Sequence, residues 1–176
     1  RNVGFLGLGL VARPAAEAVR DLGFNVAAWT RTSKDIDGIE IFQGDDRLDE
    51  FLARSEIIVN FLPVTERTTD ILNADLFAKL PNGASLINIG RGEHVVDGDL
   101  IAALNSGKLS AATLDVYRTE PLPVDDPLWT HPLITIMPHT SRRIRPGKIV
   151  PQFAEAMRCL RAGEALPQLV DRAVGY

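Results

Sequence analysis

The chain has 176 residues, and its 19 lysines and arginines against 23 aspartates and glutamates leave a net charge of −4. With 45% hydrophobic and 24% charged residues, the composition is that of a globular protein with a sizeable core, neither disordered nor fibrous, and sufficient for one domain or one domain and part of another. The mild acidity argues against general affinity for nucleic acid, which needs a clustered basic face. No apolar run approaches the ~20 residues of a bilayer span, since the stretches at 57–62 and 86–89 are broken by Asn60 and Asn88. The single cysteine, Cys159, leaves no internal disulfide and points to a reducing cytoplasm, with its thiol expected as apolar filler among Phe153, Met157 and Leu160. The chain opens on Arg1 without Met or a signal-like segment, so a fragment whose natural start lies upstream is expected.

In chain order, short β-branched runs alternate with helical patterns, the mark of a doubly wound, mainly parallel α/β sheet covered on both faces, here with about six strands. Val3–Leu6 reads as the first strand. Val11, Ala15, Ala18, Val19 and Leu22 then form one helical stripe stopped by Gly23, and Asn25–Trp29 is the second strand. Asp46 ahead of Leu48, Phe51 and Leu52 marks a second helix before the strand Ile57–Phe61. Asn73 marks a third, stopped by Pro81-Asn82-Gly83, before the strand Ala84–Ile89. Asp97 starts a fourth helix ended by Gly107, and the strands Ala111–Val116 and Ile134–Met137 follow. Ile149, Phe153, Ala156, Met157 and Leu160 define a fifth helix ended by Gly163, with Pro151 in its first turn or kinking it. On this reading residues 1–145 are a dinucleotide-binding Rossmann domain, 146–165 a returning helix, and 166–176 a tail belonging to a substrate domain.

Where the first strand gives way to the first helix stands Gly7-Leu8-Gly9-Leu10-Val11-Ala12, a G-x-G-x-x-A loop in the context a dinucleotide fingerprint requires. Gly7 permits the tight turn, Gly9 lets the backbone approach a pyrophosphate, and Ala12 lets helix pack close to strand. Leu10 and Val11 complete the loop at the helix N-terminus that faces the phosphates. An NAD site would close the second strand with Asp or Glu, whereas this one runs Thr30-Arg31-Thr32-Ser33-Lys34. Hydroxyls and a guanidinium bind a 2′-phosphate that a carboxylate would repel, so NADP(H) is favoured, with NAD(H) still possible.

From residue 60 onward, polar residues gather at strand ends: Asn60-Phe61-Leu62-Pro63, Asn88-Ile89-Gly90-Arg91-Gly92-Glu93, Asp115-Val116-Tyr117-Arg118-Thr119-Glu120-Pro121 and Met137-Pro138-His139. In an open parallel sheet, ligands bind beyond those ends. This ordered series, with Pro127-Leu128-Trp129-Thr130-His131-Pro132 and the terminal Val170-Asp171-Arg172-Ala173, resembles the D-isomer-specific 2-hydroxyacid dehydrogenases, and most closely their glyoxylate/hydroxypyruvate reductase branch. The resemblance spans nearly the whole chain and implies reduction of a small 2-oxo acid by hydride transfer. It implies that Arg91 grips the substrate carboxylate and polarises its carbonyl, and that His139 gives the carbonyl oxygen a proton. Glu120 would orient and charge-stabilise the imidazole. Leu62, Pro63, Ile89 and Gly90 would line the cofactor, and Asp115 would meet the nicotinamide carboxamide.

The resemblance further implies a homodimer through the cofactor domain, no metal, and a substrate domain whose first part would precede Arg1, so that this chain alone would bind cofactor without turnover. His94 and His131 have no role in the family pattern and read as loop residues. Ser141-Arg142-Arg143-Ile144-Arg145 departs from the small apolar residues usual after the histidine and brings extra cations near the site. Two other readings compete. The opening through Arg13-Pro14 also resembles the 3-hydroxyacid dehydrogenases, which need a large helical domain after the Rossmann unit. Corepressors of this fold bind NAD(H) without catalysis.

Overall fold

In the computed structural model, which describes residues 1–141, 146–167 and 169–170, β1 (Asn2–Leu6) is buried on both faces, as a central parallel strand must be. Val3 and Phe5 pack with Val26, Ala28 and Val59 on one side, while Leu6 packs with Ala27, Phe51 and Ile58 on the other. Burying a side chain of this size contributes about 1.5–3 kcal/mol. β1 is therefore a principal anchor of the sheet.

β2 (Asn25–Thr30), β3 (Ile39–Gln43), β4 (Ile57–Asn60), β5 (Ala84–Asn88), β6 (Leu109–Leu114) and β7 (Ile134–Ile136) join it in one all-parallel sheet of order β3-β2-β1-β4-β5-β6-β7. The doubly wound class is as expected, with one strand more than the six read from sequence. The extra strand, β3, is a short edge strand between Gly38 and Gly44, with Ile39 and Phe42 buried and Glu40 and Gln43 exposed. Its brief alternation between turn residues hid it. The direction of winding reverses between β1 and β4, whose ends pair at Leu6 and Asn60.

α1 (Ala12–Asp21) buries Ala12 and Ala16, with Ala15 and Val19 beside them. The expected stripe through Val11, Ala18 and Leu22 is corrected here: Val11 precedes the helix and Leu22 is 76% exposed. Small residues form the inner face because the helix leaves the glycine loop hard against the sheet. α2 (Leu48–Arg54) follows a short 3₁₀ turn that contains Asp46, so Asp46 is not its cap. α3 (Ala74–Lys79) is capped by Asn73, whose side chain accepts from Leu76 N–H at 3.0 Å. α4 (Asp97–Asn105) begins at Asp97 without a side-chain cap.

The chain divides into two units, Arg1–His139 and Thr140–Tyr176. The second carries α5 (Pro146–Ala162), in which Pro151 lies inside the helix, past its first turn. Cys159 is free and buried, but of the apolar residues expected around it only Met157 is half-buried, Phe153 being 67% and Leu160 62% exposed. Among the described residues no helix is long and apolar enough to cross a membrane.

Candidate functional site

The β1–α1 loop lies at the point where the winding reverses. Gly7 adopts φ +86°, open to glycine at little cost, and its N–H donates to Trp29 O at 3.0 Å. A side chain there would meet Leu62 Cδ2 and the Phe61 backbone at 3.4 Å, so this loop and the β4 loop run side by side. A Cβ on Gly9 would meet no atom within 4 Å. Leu10 and Val11 are exposed, and α1 starts with Arg13 N–H donating to Gly9 O. The approach to the helix N-terminus is thus open for an anion.

At the end of β2, Thr30 is buried and its hydroxyl donates to Thr32 O at 2.8 Å. That commits the only Thr30 side-chain proton. The neighbouring Arg31, Thr32 and Ser33 are exposed and are the candidate donors for a phosphate at this strand end. Leu62 is buried, with its N–H held by Asn60 Oδ1 at 3.1 Å, and Pro63 O accepts from Thr68 Oγ1 at 2.6 Å. These residues fit a phosphorylated dinucleotide: an unobstructed glycine at a helix N-terminus and a cationic turn without a carboxylate closing β2.

The ends of β6 and β7 bring together two of the three residues assigned catalytic roles. His139 Nδ1 lies 2.7 Å from Glu120 Oε2, and Glu120 Oε1 accepts from Tyr117 N–H at 2.9 Å. Both carboxylate oxygens are thereby fixed. Burial pushes the Glu120 carboxyl up, but the bonds from His139 and Tyr117 and the charge of Arg91 outweigh it and hold the group below the usual carboxylate range. An ionised Glu120 accepts from Nδ1–H, which leaves Nε2 as the ring nitrogen that could face a substrate. The His139 backbone sits at φ +52°, a left-handed conformation costly for a residue with a Cβ, and such outliers gather at functional sites. Tyr117 Oη, 2.8 Å from both Leu114 O and Met137 O, accepts from Met137 N–H at 3.1 Å and ties the two strand ends.

Arg91 follows β5, exposed, with one guanidinium nitrogen donating to Gly90 O at 2.7 Å. Its loop lies directly on the β6 loop: a Cβ on Gly92 would stand 1.9 Å from Tyr117 C and 2.2 Å from Arg118 N. Only glycine permits that approach. Asp115 is buried after β6, and its N–H donates to Asn88 O at 3.0 Å. Ile89 is half-buried and Gly90 buried, the Gly90 N–H donating to Asn88 Oδ1 at 3.2 Å.

His94 is the residue the sequence reading placed wrongly. It is not a loop residue but ends the short 3₁₀ turn Gly92–His94 and is fully buried. Asn60 Nδ2 lies 2.8 Å from its Nδ1 and donates also to Asn88 Oδ1 at 2.9 Å; Arg91 N–H donates to the same Nδ1 at 3.2 Å, and Nε2 faces Pro63 O at 3.2 Å. The signal available in sequence was a histidine between Gly92 and the apolar pair Val95-Val96, three residues past Arg91, with asparagines ending two apolar strands. His131 is a loop residue as read, near Asn105 Oδ1 at 3.2 Å. Arg142, Arg143 and Arg145, the domain limit at 145 and the terminal Asp171-Arg172-Ala173 lie outside the described residues.

Residues 1–141 match the sequence profile of the D-isomer specific 2-hydroxyacid dehydrogenase NAD binding domain. A D-isomer specific 2-hydroxyacid dehydrogenase from Xanthobacter autotrophicus Py2, solved with NADPH and MES, is 43% identical with a TM-score of 0.96 over 99% of this chain and 72% of that one. A probable 2-hydroxyacid dehydrogenase from Rhizobium etli CFN 42, solved with NADP, HEPES and L(+)-tartaric acid, is 37% identical with a TM-score of 0.91 over 99% of this chain and 56% of that one. The NADPH-dependent glyoxylate/hydroxypyruvate reductase of Sinorhizobium meliloti, solved with NADP and sulfate, is 33% identical with a TM-score of 0.94 over 99% of this chain. The chain spans 57% of that reductase. A glycine loop at the reversal point, polar strand ends facing it and this profile match agree: the chain belongs to the D-isomer specific 2-hydroxyacid dehydrogenases, and its residues 1–141 are their NAD-binding domain.

Proposed function

We propose that this chain is the cofactor domain of an NADPH-dependent reductase that converts a small 2-oxo acid, of the glyoxylate or hydroxypyruvate class, to the D-2-hydroxy acid. The observation that carries the reading is the Glu120–His139 pair at 2.7 Å, with Arg91 near enough for its charge to act on Glu120. The cofactor would be held along Gly7, Gly9, Leu62, Pro63, Gly90 and Asp115, with Arg31 and Thr32 on its 2′-phosphate, and when bound it supplies the hydride. Arg91 binds the substrate carboxylate as a planar multidentate cation and polarises the neighbouring carbonyl. His139 delivers the Nε2 proton to the carbonyl oxygen, so that no free alkoxide accumulates, and Glu120 fixes the ring through Nδ1 and stabilises the imidazolium that must form first.

NADP(H) is the preferred cofactor on this reading because β2 ends in hydroxyls and Arg31 rather than a carboxylate. Residues 1–145 act as the dinucleotide domain, 146–165 as a returning helix, and 166–176 as a tail belonging to a substrate domain. The enzyme is cytoplasmic and a homodimer through the cofactor domain, for which exposed Val124, Trp129, Leu133 and Met137 offer apolar surface; light scattering tests that state. Following NADPH absorbance in the full-length protein, with glyoxylate and hydroxypyruvate as substrates, tests the activity. Oxidation by either, with NADH much poorer, is expected, and failure with every small 2-oxo acid overturns the proposal.

A further inference from the structure

We propose that His94 is a positioning residue for the reduction: its buried ring, neutral and carrying its proton on Nε2, fastens the Arg91 backbone to the β4 loop and so sets where the Arg91 guanidinium meets the substrate carboxylate. The proposal rests on the role given to Arg91 above.

The tautomer follows from donors whose identities the backbone fixes. Asn60 Oδ1 accepts from Leu62 N–H, so Asn60 Nδ2 is the donor group, and its two protons go to Asn88 Oδ1 and His94 Nδ1. Arg91 N–H points at the same Nδ1. An atom that receives two donors carries no proton, so the ring proton sits on Nε2 and is donated to Pro63 O. Asn88 completes the frame by accepting from Gly90 N–H and donating through Nδ2 to Arg91 O at 3.1 Å. Both backbone polar groups of Arg91 are thus held by side chains, with His94 on its N–H and Asn88 on its carbonyl. No described buried side-chain atom here lacks a partner. Gly90 has no room to compensate, since a Cβ there would stand 2.7 Å from Asn60 Nδ2 and 3.1 Å from His94 Nδ1. Through one imidazole, Pro63 on the cofactor side and Arg91 on the substrate side keep a fixed register. A one-ångström error in such a register costs far more in catalysis than in stability.

Two substitutions divide the ring's two tasks. Asparagine can present an acceptor where Nδ1 stands and keeps the grip on Arg91 N–H, while glutamine can present a donor where Nε2 stands and keeps only the bond to Pro63 O. In the full-length protein, the Arg91 amide is expected to retain slow hydrogen exchange in His94→Asn and to exchange about tenfold faster or more in His94→Gln. The KM for the 2-oxo acid should rise about tenfold in His94→Gln, with the Kd for NADPH unchanged, and His94→Asn should recover most of the loss. Equal Arg91 exchange in the two variants, or a KM that rises equally in both, overturns the proposal. ¹⁵N spectra of histidine-labelled wild-type protein give a further test that needs neither variant to fold: His94 must show Nε2–H with a bare Nδ1, and an Nδ1–H tautomer refutes the assignment. If the wild type reduces no 2-oxo acid, the function proposed above fails, while exchange at Arg91 and the ring spectrum still decide how His94 holds that residue.

Discussion

Replacing Gly92 with alanine should damage catalysis far more than cofactor binding. The added Cβ would lie 1.9 Å from Tyr117 C, 2.1 Å from Tyr117 O and 2.2 Å from Arg118 N, all backbone atoms that no rotamer change can move. Ordinary contact begins at 3.4 Å, so the β5 and β6 loops must part by about 1.5 Å. One loop carries Arg91; the other carries Glu120 and, through it, orients His139. A misplacement of about 1 Å between catalytic groups costs on the order of 100-fold, so kcat/KM for a 2-oxo acid should fall by about that factor or more. The strain should also lower stability by about 1–3 kcal/mol. The Kd for NADPH, measured by fluorescence titration of the full-length protein, should rise by far less than kcat/KM falls, because Gly90 and Asp115 lie on the parted loops but the Gly7 loop, Leu62 and Pro63 are untouched. Gly98→Ala is the control: its Cβ would meet nothing within 4 Å, and alanine in the α4 helix should be neutral or stabilising by up to about 1 kcal/mol. A Gly92→Ala enzyme with wild-type kcat/KM would refute the reasoning, as would one that loses NADPH affinity in step with activity.

Other expectations follow from the same geometry. Arg31→Ala should weaken NADPH by about 1.5–3 kcal/mol, the worth of one charge-assisted contact, and leave NADH within twofold or so; parallel titrations with the two cofactors check this. Glu120→Gln should lower kcat for reduction by about tenfold or more, since a neutral amide no longer gives the His139 ring a charge-assisted partner; wild-type kcat in that variant would contradict it. His94 binds protons less readily than its ordinary value of 6.5 because burial disfavours the charged ring, against opposition from the Pro63 carbonyl and Glu93. Below pH 6.5 the unfolded chain therefore binds more protons than the folded one. The ring's contribution to stability is full above that pH and is lost as pH falls toward the depressed folded value. Urea unfolding at a series of pH values should show this decline, and His94→Asn should show less of it.

How much of this could be read beforehand depends on whether a residue's meaning is local. The turn at Gly7 needs a positive φ and the approach at Gly9 needs an empty Cβ position, and both are properties of the residue itself. The strand-end positions of Arg91, Glu120 and His139 followed from alternating strands and helices, since a parallel sheet puts all its carboxyl ends on one edge. What failed was non-local. His94 read as a loop residue because the groups that define its chemistry, Asn60, Pro63 and Asn88, come from elsewhere in the chain and meet it only in the folded sheet. The α1 stripe went to Val11 and Leu22 because hydrophobicity was weighed without size, whereas close packing at a glycine loop selects Ala12 and Ala16. Thr30 reads from sequence as a phosphate donor, but its hydroxyl proton goes to Thr32 O, a bond that only the folded turn makes.

The central step of the proposed reduction is a proton delivered by His139. Stopped-flow mixing of the NADPH complex of the full-length enzyme with hydroxypyruvate reads the reductive step itself, apart from product release. His139→Ala should slow that step by about 10²–10⁴-fold while the Kd for NADPH hardly changes. A His139→Ala enzyme that oxidises bound NADPH at the wild-type rate would contradict the account, and the proton donor would have to be sought elsewhere.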